Sequence, residues 1–68
     1  MSSQPIHKAA ERGDLGALQA ELDKGVNIDL GGVFDRTALI EAAKAGKLEA
    51  VKFLVAHKAS VDRADKYL

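Results

Sequence analysis

Thr37 to Gly46 reads T-A-L-I-E-A-A-K-A-G and lies without a gap over Gln4 to Gly13, Q-P-I-H-K-A-A-E-R-G, at an offset of 33 residues. The same offset pairs Leu15 with Leu48, Ala17 with Ala50, Leu18 with Val51, Leu22 with Val55, Ile28 with Val61 and Asp29 with Asp62. The chain is one unit written twice, and 68 residues leave room for nothing else. It reads as a single domain, 1–68, made of a first unit at 4–36 and a second at 37–68. Below about 70–80 residues one core rarely supplies more than about 3–5 kcal/mol, so each cap and each turn glycine bears on whether the fold holds.

Local chemistry divides each unit into two short helices and a loop. Pro5 suits the first position of a helix because the N–H it lacks would have no partner there. Gly13 can take the left-handed conformation that ends that helix. The first helix is therefore expected over Pro5–Arg12. Asp14 caps a second helix over about Leu15–Lys24, with Leu15, Leu18 and Leu22 at inward spacing. Gly16 costs that helix about 1 kcal/mol relative to Ala. Gly25 ends it, and Asn27–Arg36, with Gly31-Gly32 inside, has the chemistry of an extended loop or hairpin. In the second unit Thr37 caps a third helix, which Gly46 ends. The fourth runs from Leu48 to about His57, with Leu48, Val51, Leu54 and Val55 inward.

A period of 33 residues with this order of elements resembles the ankyrin repeat. Its T-P-L-H-x-A signature is split between the copies, Pro5 and His7 in the first and Thr37 and Leu39 in the second. Gly46-Lys47-Leu48-Glu49-Ala50-Val51-Lys52-Phe53-Leu54-Val55 is similar to the family's G-H-L-E-V-V-K-L-L-L, and Gly25-Val26-Asn27-Ile28-Asp29 to its G-A-D-V-N. The resemblance implies an all-α fold: ankyrin-like helix-turn-helix repeats with projecting finger loops, a short solenoid. It also implies that His7 is a hydrogen-bonding residue tying neighbouring repeats together. Two positions depart from the pattern. Lys58 stands where the first copy has Gly25, so a residue with a Cβ is expected in a left-handed conformation. Asp35 and Leu68 stand where the family has the turn glycine of the finger.

Composition bounds the setting. There is no Cys, hence no disulfide framework and no thiolate metal site, and a cytoplasmic or nuclear, intracellular location is expected. No stretch approaches the about 20 apolar residues of a membrane span, so no membrane partner is expected. Net charge is zero, but residues 1–35 carry three basic and six acidic side chains, leaving −3 there and +3 in the remainder. Such polarity can steer partners or self-association.

No arrangement of residues supplies catalysis, and no cofactor is implied. His7 and Glu11, four apart, make only two potential metal ligands, and His57, Ser60 and Asp62 have nothing to align them as a triad. Gly31-Gly32 is too short for a phosphate loop. The basic residues of the second half are interspersed with acids and near one aromatic, Tyr67, so nucleic acid is disfavoured. Another protein is the expected partner, with no enzymatic activity. In ankyrin-like proteins partners are gripped by finger tips and by exposed positions of each first helix. The matching positions are Lys8, Glu11 and Arg12, then Val33, Phe34, Arg36, Glu41, Lys44 and Ala45, then Lys66 and Tyr67. Phe34 and Tyr67 occupy equivalent places and are expected aromatic anchors.

A second reading is a small structural subunit or fragment that completes a larger repeat stack, including by self-association. Phe53, Leu54 and Val55 span about 200° of a helix and cannot all face the first unit. The first copy has Ala20, Glu21 and Leu22 there, with Glu21 giving a polar, cap-like outer face. The second unit is interior-like, with no such C-terminal cap, and homo-oligomers through Phe53, Leu54 and Val55 are expected.

Overall fold

Each unit folds as the punctuation of its sequence dictates. In the computed structural model, which describes residues 4–67, α1 spans Pro5–Arg12, α2 Leu15–Asp23, α3 Ala38–Lys44 and α4 Leu48–Ala56. Two single 3₁₀ turns, Val33–Asp35 and Asp65–Tyr67, lie in the finger loops. Among the described residues no strand forms, and no helix is long and apolar enough to cross a membrane.

The caps are those the residues require. Asp14 accepts a hydrogen bond from the Ala17 N–H at 3.0 Å and Thr37 Oγ1 one from the Ile40 N–H at 3.3 Å, each satisfying a donor that the first helical turn leaves open. The Ala17 bond, with help from the Arg12 guanidinium, holds the Asp14 carboxyl below its ordinary pKa. All four helices close with one pattern: the next residues turn their N–H groups back onto the last carbonyls, through a left-handed residue. That residue is Gly13, Gly25 and Gly46 at three ends (φ 73°, 91° and 71°) and Lys58 at the fourth (φ 73°). At α4 the two bonds, Lys58 N–H to Val55 and Ala59 N–H to Leu54, are both 3.0 Å.

α1 and α3 form an inner layer, packed on each other, and α2 and α4 back them from outside. Small residues make this close approach feasible: Ala9 and Ala10 on α1, Ala38 and Ala42 on α3, and Ala50 on α4 are all buried. Ile6, Leu18, Leu39, Ile40 and Leu54 fill the space between them.

Four expectations about facing are corrected. Leu15 is 37% exposed and Leu48 70%; each is the first residue of its helix, and Leu48 lies in an open cleft with Arg12 and Gly13. Val55, expected inward, is 42% exposed. Leu54, assigned to a self-association surface, is fully buried and belongs to the core, where Glu21, its counterpart in α2, is only half-buried. Leu68, the counterpart of Asp35, lies outside the described residues.

Candidate interaction surface

The first finger holds two close approaches at glycine: the one at Gly32 meets a buried ring, and the one at Gly31 an exposed carboxylate that can move. A Cβ on Gly32 would sit 2.8 Å from Cε1 and Nδ1 of His7, and one on Gly31 would collide with the Asp35 carboxylate. His7 is buried. Its Nδ1 accepts the Gln4 N–H at 3.0 Å, so the proton resides on Nε2, which donates to the Leu30 carbonyl at 2.7 Å. The histidine thus ties α1 to the finger of its own unit, and not to the neighbouring repeat as the resemblance implied.

The tip of this finger is closed by the Gly32 N–H bonding to the Arg36 carbonyl at 2.9 Å and the Asp35 N–H to Gly32 at 2.8 Å. Phe34 and Asp35 both take left-handed backbone (φ 56° and 58°). Strain of this kind is costly outside glycine. It throws the Phe34 ring outward, where it is 83% exposed with the Arg36 guanidinium 5.2 Å from its centroid.

The second finger reaches back to hold the first. The Ser60 N–H donates to Asp29 Oδ1 at 2.8 Å. Arg63 donates to the Asp29 carbonyl at 3.2 Å, to the Asp35 carbonyl at 3.3 Å and to the Asp35 carboxylate at 2.9 Å. Between the two fingers lies a groove of about 300 Å³, lined by Phe34, Asp35, Arg36, Ile40, Arg63, Lys66 and Tyr67. Tyr67 packs against the core, and the ammonium groups of Lys44 and Lys66 lie 5.3 and 5.4 Å from its ring centroid.

Of the residues read from sequence, the groove gathers Phe34, Arg36, Lys66 and Tyr67, with Lys44 beside it. Lys8, Glu11 and Arg12 are exposed on α1, and Ala45 is exposed after α3, but none of them lines it; Val33 is half-buried next to the tip. Glu41 is corrected: it is buried and accepts from Arg36 Nε at 3.3 Å, so it positions the arginine and offers no contact itself. The expected equivalence of Phe34 and Tyr67 also fails, since one ring is in solvent and the other lies on α3. Asp35, Ile40 and Arg63 are the lining residues that sequence reasoning missed. Arg63 has Leu30 as its repeat counterpart, so the period gives no hint of its reach. Among the described residues no three His, Asp or Glu side chains converge closely enough to hold a metal ion.

A second surface lies on the far side of the second unit. Leu22 and Ile28 pack against the core, whereas their counterparts Val55 and Val61 are each 42% exposed; Leu48 is not part of this surface, since it lies beside Arg12 and Gly13 of the first unit. Phe53 is half-buried, its ring 4.3 Å from that of His57.

A family model described as ankyrin repeats (3 copies) matches residues 2–67. The chain is 33% identical over 63 residues to a probable E3 ubiquitin-protein ligase, XBOS33, of Oryza sativa subsp. japonica, covering 93% of this chain and 12% of that protein. Its fold is similar to the crystal structure of the human ASB11 ankyrin repeat domain, with a TM-score of 0.78 and 34% identity over 87% of this chain and 27% of that one. The chain therefore spans a small part of both.

Proposed function

Because the chain belongs to the ankyrin repeat family, whose members are generally protein–protein interaction modules, we propose that it is a non-catalytic module that binds another protein through its finger tips and first-helix surface. The observation that carries this reading is Phe34, a large apolar ring in solvent at the tip of a strained finger. Exposed aromatics in such settings are the usual anchors of binding energy. Arg36, Lys66 and Tyr67 line the groove with it, Lys44 lies at the Tyr67 ring, and Lys8, Glu11 and Arg12 are exposed on α1.

The second reading, a subunit or fragment that completes a larger repeat stack or associates with itself, is favoured by one observation. Val55 and Val61 are exposed where their first-unit equivalents, Leu22 and Ile28, pack against the core. Each repeat buries its apolar side only against a neighbour.

Affinity capture with quantitative mass spectrometry separates the two. Proteins retained by the wild-type chain should be lost with Phe34→Ser, at unchanged helical circular dichroism. If they are retained by Phe34→Ser and lost with the double change Val55→Ser and Val61→Ser, the finger reading is overturned in favour of stack completion.

A further inference from the structure

Resting on the reading of the fingers as the binding surface, we infer that the groove between them takes an acidic peptide segment that carries one apolar side chain. The floor of the groove is Ile40 and its walls are Phe34 and Tyr67, which suits an aliphatic or aromatic side chain. At about 300 Å³ it is at the lower limit of ligand pockets, room for a side chain or two.

The rim is cationic in a particular way. Arg36 and Arg63 are already paired, with Glu41 and Asp35. Lys44 and Lys66 form no ion pair among the described residues, yet both ammonium groups converge on the Tyr67 ring. Neither ammonium group has a carboxylate partner among the described residues, so an anion that approaches the Tyr67 side of the groove gains attraction from both. Carboxylates flanking an apolar residue supply this complement. A nucleic-acid backbone fits less well: its regularly spaced phosphates cannot avoid the Asp35 carboxylate on the rim, whereas a peptide can place its carboxylates beside Lys44 and Lys66 and away from Asp35.

The test is to pan a displayed library of random peptides, about twelve residues long, against the full 68-residue chain and to measure the most enriched peptide by fluorescence anisotropy. Selected sequences should place aspartate and glutamate around an apolar residue. Their affinity should fall about tenfold or more with Lys44→Glu and Lys66→Glu together, and again when salt rises from about 0.05 to about 0.5 M, which shortens the screening length from about 14 to about 4 Å. Lys44→Gln with Lys66→Gln, a milder pair, should show the same direction, and circular dichroism should show all variants folded. Neutral or basic peptides that depend on Phe34 but not on the lysines would overturn the acidic specificity and leave the surface standing. Peptides indifferent to both Phe34→Ser and charge reversal, or no enrichment above background, would overturn the surface as well. Equal competition by an oligothymidylate of similar length would overturn the inference in favour of nucleic acid.

Discussion

Exchanging Lys58 for glycine should stabilise the chain. Four helix ends share one closing pattern, and three of them place glycine at the left-handed position; Lys58, at φ 73°, is the exception. A Cβ in this conformation costs about 1–2 kcal/mol. Glycine returns about 0.4–1 kcal/mol of that as added freedom of the unfolded chain, and losing a cation at the C-terminal end of α4 forfeits about 0.3 kcal/mol. The net gain is about 0.5 kcal/mol, with about 1 kcal/mol as its ceiling. With a urea slope of about 1 kcal/mol per molar for a chain this small, the midpoint should rise by about 0.5 M. The melting temperature should rise by about 2–4 °C. Lys58→Ala removes the charge and keeps the Cβ, so it should give no gain, and Lys58→Asn should fall between. A glycine midpoint that drops at unchanged slope, or an alanine variant that matches glycine, would refute the argument from backbone strain.

Gly32→Ala should lose about 1–3 kcal/mol of stability, because its Cβ would press on the buried His7 ring; Gly16→Ala, whose nearest neighbour would be 3.7 Å away, should gain about 0.5–1 kcal/mol, both read from urea midpoints. Leu54→Ala should cost about 2–5 kcal/mol, comparable with the whole stability expected of so small a domain, and should abolish the helical circular dichroism signal at room temperature. Asp14 has its pKa lowered in the folded chain, so its contribution is present above about pH 4 and disappears as pH falls through the lowered value. Asp14→Asn keeps the cap without titrating, and its urea midpoint should decline less than the wild type's on acidification.

Helix boundaries were legible because they follow from chemistry within a few residues: Pro5, Asp14 and Thr37 start helices and the glycines stop them. Facing was less legible. Helical spacing puts Leu48 and Val55 about 20° apart on one face and Leu54 about 120° from Leu48, but which of those faces meets a neighbour depends on where the neighbouring helices lie, which no local pattern encodes. Glu41 illustrates the converse: a charged residue on a first helix reads as exposed, and only the approach of Arg36 accounts for its burial. Phe34 and Tyr67 share a repeat position but not a backbone. The former sits in a left-handed tip, while the latter ends a 3₁₀ turn that packs on α3. The groove's second wall depended on Arg63 crossing between fingers, a contact 28 residues apart in sequence from Asp35.

That crossing makes recognition conditional on conformational free energy. Asp29 and Asp35 belong to the first unit and Ser60 and Arg63 to the second, so an isolated first unit would display Phe34 with nothing opposite it. Opening of the C-terminal finger alone, a local event far cheaper than global unfolding, would dissolve the groove while α1 to α3 stayed folded. A bound segment would oppose that opening by mass action, and the slowing would register first in hydrogen exchange at the Ser60 amide.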